Sequence, residues 1–298
     1  MRHLGTGAAS ELYAVHDPKT RQIWALKHVV KKTDRDQRFL EQVEVEYDVA
    51  SHLEHPSIRH VHKIIRHRKR FKTFAVSLVM ELVDAVSLDN KIPSNTLDAI
   101  SVFAHVAEAL AHMHGRGYVH ADIKPSNILV SDTTDVKVID LGQACKIGTV
   151  KERIQGTPGY MAPEQAHREP IVPQTDIYNL GATMYWVLTG EVIPTSLPPK
   201  DSTSSIYSGA VESERIELPP PPHVKNPDVH ELLSKQIMDC IQVEPTDRPE
   251  SMQVVLNRLQ LLGNLLEQSD TNLNTIAAEL ENDDTAFGGS HDIPLSES

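Results

Sequence analysis

The sequence is short of the features that hold small secreted proteins together or anchor membrane proteins. It has only two cysteines in 298 residues, Cys145 and Cys240, and no apolar run approaches the roughly 18 residues that span a bilayer. The N-terminal residues also lack the apolar core of a signal peptide. We therefore expect no disulfide scaffold, no membrane span, two unpaired thiols and a cytoplasmic protein.

Basic residues are missing from the end of the chain. Eight acidic side chains but no lysine or arginine follow residue 260, whereas residues 1–80 carry 15 basic and 9 acidic side chains. With 40% hydrophobic residues, a chain of this length can bury a sizeable core. We therefore expect a globular protein of two lobes, followed by an acidic tail, residues 263–298, that is too polar to stay ordered.

Hydrophobic periodicity predicts strands first and helices later. Apolar residues alternate with polar ones in residues 4–30 and 60–80, which is typical of strands. Between these segments the apolar residues recur at three- and four-residue steps, which predicts an amphipathic helix over residues 34–54. Further helices are predicted near residues 97–113, 175–188, 228–243 and 249–266, and an irregular Pro- and Ser-rich stretch over residues 194–227.

A cluster of basic residues could contact nucleic acid: Arg66, Arg68, Lys69, Arg70 and Lys72. It lies between two alternating stretches, residues 62–65 and 71–79. This placement favours the solvated tip of a β-hairpin, so we expect no nucleic-acid partner.

Two features of the first strands could bind a polyphosphate. Gly5 and Gly7 lie in a turn, where glycines let backbone N–H groups approach phosphates closely, although an ordinary hairpin turn has the same pattern. Lys27 lies in the next strand between apolar residues, and an ammonium that faces the interior needs a partner. Glu46, on the core-facing side of the predicted helix, could be that partner. A surface lysine and an unrelated glutamate are an equal alternative.

Polar residues packed between apolar ones mark residues 118–130 as a chemical site, because buried strands do not have this composition. Asp122 can accept a hydroxyl proton, Lys124 can neutralise a transferring phosphoryl group, and Asn127 offers an amide oxygen to Mg²⁺. Further on, a predicted strand delivers Asp140 onto a glycine-containing turn. A carboxylate at the end of a strand, on a flexible turn, is the arrangement that a second metal ligand requires.

These blocks, together with the GTPGYMAPE sequence of residues 156–164, resemble in order and spacing those of the eukaryotic-type protein kinase family. The resemblance covers residues 4 to about 262. It implies an α+β fold of two lobes, a small sheet-rich N-lobe over residues 1–80 and a larger helical C-lobe over residues 81–262. ATP and Mg²⁺ would bind in the cleft between the lobes.

The resemblance also implies a role for each candidate residue. Lys27 would hold the α- and β-phosphates and pair with Glu46, and Asp122 would be the catalytic base. Asn127 and Asp140 would bind Mg²⁺. The remaining nucleotide-binding positions would be the loop glycines Gly5 and Gly7, the gatekeeper Met80, and the hinge residues Glu81 to Val83.

Other matches concern the type of kinase and the C-lobe. Lys124 and Thr157 resemble serine/threonine kinases, which implies a protein substrate that presents a serine or threonine hydroxyl. In the C-lobe, the resemblance implies that Glu164 pairs with Arg248 and that Asp176 anchors the buried helix. The sequence does not indicate an oligomeric state.

Three positions depart from the family pattern, although none of them removes a phosphate or metal ligand. Ser10 replaces the third loop glycine, Ala121 replaces the arginine of the His-Arg-Asp motif, and Leu141 replaces the phenylalanine of the Asp-Phe-Gly motif. These departures leave open a pseudokinase that binds nucleotide or scaffolds partners without turnover. A small-molecule phosphotransferase is a further alternative, which residues 156–164 disfavour because they resemble a peptide-docking segment.

Overall fold

The computed structural model describes residues 1–7, 9–132, 135–194 and 216–268. Five strands form the N-terminal sheet: Arg2–Thr6 (β1), Ser10–His16 (β2), Ile23–Val30 (β3), Val61–Lys69 (β4) and Lys72–Glu81 (β5). Their spatial order is β1-β2-β3-β5-β4, and all neighbours are antiparallel. The β4–β5 hairpin places residues 68–72 of the basic cluster at its tip, as predicted, whereas Arg66 lies inside β4 and pairs with Glu44.

One helix, Gln37–Ala50 (α1), packs against this sheet. Its buried residues follow the predicted three- and four-residue spacing and include Leu40, Val43, Glu46 and Val49. A 3-10 turn, Asp34–Asp36, precedes α1, so the helical segment begins where the sequence predicts it. The α-helix ends at Ala50, earlier than predicted.

The C-terminal part is mainly helical. Its helices are Thr96–Gly115 (α2), Pro163–His167 (α3), Pro173–Thr189 (α4), Pro222–Lys225 (α5), Glu231–Cys240 (α6) and residues 252–268 (α7). The helix α4 is buried along most of its length and packs between α2 and α6, as its nearly apolar sequence predicted. Within the described ranges, no helix combines the length and the apolar character needed to cross a bilayer.

Short strands fix the loops between these helices. Tyr118–Val119 (β7) pairs with Cys145–Lys146 (β10), and Thr149–Val150 (β11) pairs with Pro170–Ile171 (β12). A separate three-stranded sheet contains Val86–Ser87 (β6), Ile128–Val130 (β8) and Val136–Val138 (β9). The β8–β9 hairpin brings Asn127, which precedes β8, next to Ile139, which follows β9, because the Ile139 N–H donates to the Asn127 carbonyl.

The sheet-rich first part and the helical second part confirm the predicted two-lobed α+β fold. The expected boundary at residue 262 nevertheless lies inside α7, which continues through residue 268. This helix still buries apolar surface beyond 262, because Leu266 packs against the core and Gly263 lies beside Ile100 of α2. Most of the predicted irregular stretch, residues 195–215, and the acidic tail from 269 lie outside the described residues.

Candidate active site

Lys27 lies where the sheet, α1 and the turn after β9 meet. Its Nζ is 2.7 Å from Glu46 Oε2 and 3.3 Å from Asp140 Oδ1. Arg59, which the sequence did not single out, approaches the other Glu46 oxygen at 3.5 Å. Glu46 is only 2% exposed, so the two cations compensate a buried charge. Lys27 is therefore neither unpaired nor on the surface, and it connects two carboxylates.

These charges change the pKa of two members of the cluster. Burial acts to lower the pKa of Lys27, but Glu46 and Asp140 together raise it above its ordinary value. Burial acts to raise the pKa of Asp140, but the Lys27 ammonium, with a smaller effect of Arg59, lowers it to about 2. Lys27 is therefore cationic and Asp140 anionic at neutral pH.

Asp122, Lys124 and Thr157 form a second cluster. The Thr157 hydroxyl donates to Asp122 Oδ1 at 2.9 Å, and Lys124 Nζ donates to the Thr157 oxygen at 2.7 Å. The same ammonium lies 3.0 Å from Asp122 Oδ2. Each oxygen of the Asp122 carboxylate thus has a partner, and these contacts fix the orientation of the carboxylate. The residues of this cluster come from two separate segments of the chain.

The backbone before Asp122 is fixed by a buried carboxylate. Asp176, fully buried in α4, accepts hydrogen bonds from the backbone N–H groups of His120 at 2.9 Å and Ala121 at 2.8 Å. His114 Nε2 lies 2.9 Å from the same Asp176 oxygen that His120 contacts. Asp176 therefore attaches the loop that carries Asp122 to the most buried helix of the C-terminal part, as the resemblance implied.

Asn127 and Asp140 offer the oxygen ligands that Mg²⁺ prefers. The backbone N–H of Ile139 donates to the carbonyl of Asn127 at 2.9 Å, which holds the two ligand-bearing segments together. The Asn127 amide nitrogen donates to the Asp122 carbonyl at 2.8 Å, so its amide oxygen is the atom left for a cation. Asp140 is ionised and 44% of its side chain is exposed. This donor set fits a magnesium ion.

The predicted gatekeeper and hinge lie at the end of β5. Met80 is completely buried, and Lys137 Nζ lies 2.9 Å from a carboxylate oxygen of Glu81. The Glu81 side chain is thus engaged by Lys137, and its backbone N–H donates to the His60 carbonyl at 2.9 Å. A cavity of about 910 Å³ borders Glu81 and Val83, but the Lys27 and Asp122 clusters do not line it.

Only Gly7 lies in the predicted turn between β1 and β2, because Gly5 lies inside β1, where it pairs with Leu12 of β2. The Gly7 N–H donates to the Ser10 carbonyl at 2.7 Å, and a Cβ at Gly7 would lie 2.8 Å from Ser10 Oγ. A Cβ at position 7 would therefore require the Ser10 hydroxyl to rotate away, whereas a Cβ at Gly5 would meet nothing within 4 Å.

Residues 140–164, here called the activation segment, end at a buried ion pair. Glu164 and Arg248 form two parallel hydrogen bonds of 2.8 and 2.9 Å, as the resemblance implied. The guanidinium also donates to three backbone carbonyls, those of Gln174, Gln242 and Val243. This pair is fully satisfied, so it fixes the end of the segment against the helices of the C-terminal part.

Three side chains of this region were missed in the sequence: Arg59, Lys137 and Gln165. Lys137 lies between two valines, which is a weak signal for an ion pair, whereas Arg59 lies between Ile58 and His60 and gives no such signal. No sequence pattern predicts the role of Gln165, which follows Glu164, because an amide side chain can hydrogen-bond any backbone group that the fold brings near it.

Comparison with known proteins gives one family and a consistent set of relatives. Residues 1–259 match the model of the protein kinase domain. The chain is 32% identical over 258 residues to the serine/threonine-protein kinase PknB of Mycobacterium tuberculosis, which covers 82% of this chain and 39% of that protein. It is 26% identical over 307 residues to a probable serine/threonine-protein kinase of Clostridium acetobutylicum, with 96% and 45% covered. The chain thus spans less than half the length of these relatives.

Proposed function

The chain belongs to the protein kinase family, and we propose that it transfers the γ-phosphoryl group of ATP to serine or threonine hydroxyls of proteins. The observation that carries this proposal is the position of Lys27, which pairs with Glu46 and approaches Asp140. A lysine held in this way presents a fixed positive charge to polyphosphate beside an ionised carboxylate.

In this proposal, the nucleotide lies against the N-terminal sheet. The adenine bonds the backbone of residues 81–83 beneath Met80, and the phosphates lie under Gly5 at the end of β1 and Gly7 in the turn that follows. Lys27 contacts the α- and β-phosphates. The pair with Glu46 holds the ammonium in place, so little reorganisation is needed when the nucleotide binds.

Asn127 and Asp140 would hold Mg²⁺, which offsets negative charge on the phosphates when it is bound. The side chains supply two oxygen ligands of different charge, a neutral amide and a carboxylate. Because Asp140 also approaches Lys27 at 3.3 Å, a magnesium ion there would lie next to the phosphates that Lys27 contacts. Lys27 lies in β3 and Asp140 in the turn after β9, so the phosphates would lie where the two lobes meet.

Asp122 orients the substrate hydroxyl and accepts its proton as the oxygen attacks. In the structure, one Asp122 oxygen accepts a hydrogen bond from Thr157, which directs the carboxylate. Lys124 lies 3.0 Å from the other oxygen and can neutralise charge on the phosphoryl group. The buried hydrogen bond from Asn127 to the Asp122 carbonyl keeps this geometry during transfer.

The serine/threonine preference rests on Lys124 and Thr157 and on the names of the relatives. All five residues assigned to the chemistry are present, and the departures do not remove any of their contacts. Leu141, for example, is 3% exposed and fills the apolar position expected of phenylalanine. We therefore favour an active kinase over a pseudokinase.

We further propose that residues 1–80 and 81–268 act as the two lobes and that the protein works in the cytoplasm. The lobe limit at 268 follows α7 to the end of the described residues. The two cysteines are both free, which fits a reducing compartment. A protein substrate would enter over the activation segment, where Thr157 lies beside Asp122.

The test is incorporation of phosphate from radiolabelled ATP with Mg²⁺ into a generic basic protein, comparing wild type with Asp140→Asn. Asp132→Asn is the matched control, because that carboxylate is fully exposed and pairs with Lys91 away from the site. We expect turnover in wild type and control, none in Asp140→Asn, and label on phosphoserine or phosphothreonine after acid hydrolysis. Nucleotide binding without turnover in wild type would instead establish a pseudokinase.

A further inference from the structure

Ala121, the residue immediately before Asp122, has a left-handed backbone with φ of 61° and is 2% exposed. Residues other than glycine seldom adopt this conformation, and they keep it only where the surrounding contacts hold them. The direction of the Asp122 side chain depends on this backbone. The contacts that hold Ala121 therefore bear directly on catalysis.

Both backbone polar groups of Ala121 are bonded by side chains of the C-terminal part. Its N–H donates to Asp176 Oδ1 at 2.8 Å. Its carbonyl accepts from Gln165 Nε2, also at 2.8 Å. Asp176 was implied by the family resemblance, whereas Gln165 was not.

The Gln165 amide connects four places in the fold with one group. Besides Ala121, Nε2 also donates to the Gln155 carbonyl at 3.3 Å. Its oxygen accepts from the Ala162 N–H at 3.0 Å and from Asn179 Nδ2 at 3.0 Å. Gln165 is 3% exposed, so water does not compete for these bonds. One amide thus joins the catalytic loop, the activation segment and α4.

We propose that Gln165 is a positioning residue. It keeps Ala121 in its left-handed conformation and thereby holds Asp122 in line for proton transfer. It also ties the activation segment to the catalytic loop. This inference rests on the proposed kinase function. The Gln165 oxygen bonds the Ala162 N–H and Asn179 of α4, and its nitrogen bonds the carbonyls of Ala121 and Gln155. The two ends can therefore be tested separately.

The absence of an arginine at position 121 gives this link its importance. With alanine there, the catalytic loop has no cationic side chain at that position to bind a phosphate on the activation segment. The cation Lys151 donates instead to the Gln143 carbonyl at 2.8 Å, within the segment itself. Neutral hydrogen bonds from Gln165 supply a connection that does not require phosphorylation.

The experiment compares Gln165→Leu and Gln165→Glu with wild type. Glutamate keeps the acceptor bonds to the Ala162 N–H and Asn179 but, when ionised, has no donor for Ala121 or Gln155. We expect kcat to fall by at least about tenfold in both variants, with KM for ATP within about twofold, because the nucleotide contacts lie elsewhere.

Gln174→Leu is the matched control, because its amide donates to the Glu250 carbonyl at 3.0 Å, outside the catalytic loop and the activation segment. Its kcat is expected to equal that of wild type. Hydrogen–deuterium exchange on the same proteins gives a readout that does not depend on turnover. In both Gln165 variants we expect faster amide exchange in residues 119–123 and 153–157 and unchanged exchange in α6.

Wild-type kcat in Gln165→Glu, even with a less active or unfolded Gln165→Leu, would show that the residue only packs and would overturn the proposal. Unchanged exchange in residues 119–123 of Gln165→Glu would overturn it as well. If wild type itself lacks turnover, the proposed function fails, and the exchange measurement still decides whether Gln165 holds the loop.

Discussion

Lys27 Nζ lies 3.3 Å from Asp140 Oδ1, although 113 residues separate them in the sequence. One comes from the N-terminal sheet and the other from the turn after β9 in the C-terminal part. This contact, together with the pair between Lys27 and Glu46, brings the two parts into one charged cluster.

Replacing Lys27 with methionine should greatly reduce phosphoryl transfer while the protein remains folded. Loss of a charge-matched phosphate contact costs about 2–4 kcal/mol of transition-state stabilisation, or roughly 30- to 1000-fold in rate. Arg59 remains to compensate Glu46, which protects the fold. Steady-state kinetics and thermal melting test this, with Lys31→Met as the control, because Lys31 follows β3 and its side chain pairs with the exposed Asp34. Wild-type turnover in Lys27→Met would contradict the assignment.

Activity should not depend on phosphorylation of the activation segment. Residues 151–155 contain no hydroxyl, and Thr149 lies in β11, where its Oγ1 donates to the Lys146 carbonyl. We expect phosphatase-treated protein and Thr149→Ala to keep activity within about twofold of the untreated wild type. A loss of an order of magnitude on dephosphorylation, restored by incubation with ATP, would disprove this.

Thr157→Ala, in contrast, should lower kcat by at least about tenfold, because Asp122 and Lys124 both lose a partner. Thr157→Ser is the matched variant, since serine keeps the hydroxyl that forms both bonds, and it should retain most of the activity. Equal activity of the alanine and serine variants would show that the hydroxyl is not needed.

Gly181→Ala should destabilise the C-terminal part. A Cβ at Gly181 would lie 2.7 Å from Cys240 Cβ and 2.8 Å from Ile241 Cγ2, so α4 and α6 would have to separate. Overpacking of this kind costs about 1–3 kcal/mol, which should lower the melting temperature by several degrees. Gly115→Ala, whose Cβ would meet nothing within 4 Å, is the control and should melt like wild type.

Removing residues 269–298 should leave the melting temperature within about 2 °C of wild type and the activity unchanged, because this acidic, polar segment has little apolar surface to bury. Truncation after residue 262 should be clearly destabilising, since it removes Leu266, which packs against the core. A large fall in melting temperature for the shorter deletion would show that the tail packs against the rest of the protein.

Local sequence patterns predicted the secondary structure well where they were strong. The helix predicted over residues 97–113 is α2, Thr96–Gly115, and Asn95 caps it by accepting a hydrogen bond from the Asp98 N–H. The helix predicted near residues 249–266 is α7, residues 252–268, and Leu266 near its end packs against the core.

The sequence by itself determined the chemical groups of the candidate site and their spacing along the chain. Asp122 and Asn127 are five residues apart on one loop, so their proximity could be predicted from the sequence. Only the tertiary structure decided that Arg59 compensates Glu46 and that Gln165 bonds the Ala121 carbonyl. An isolated charge or amide has many possible partners, and which one it meets depends on the path of the whole backbone.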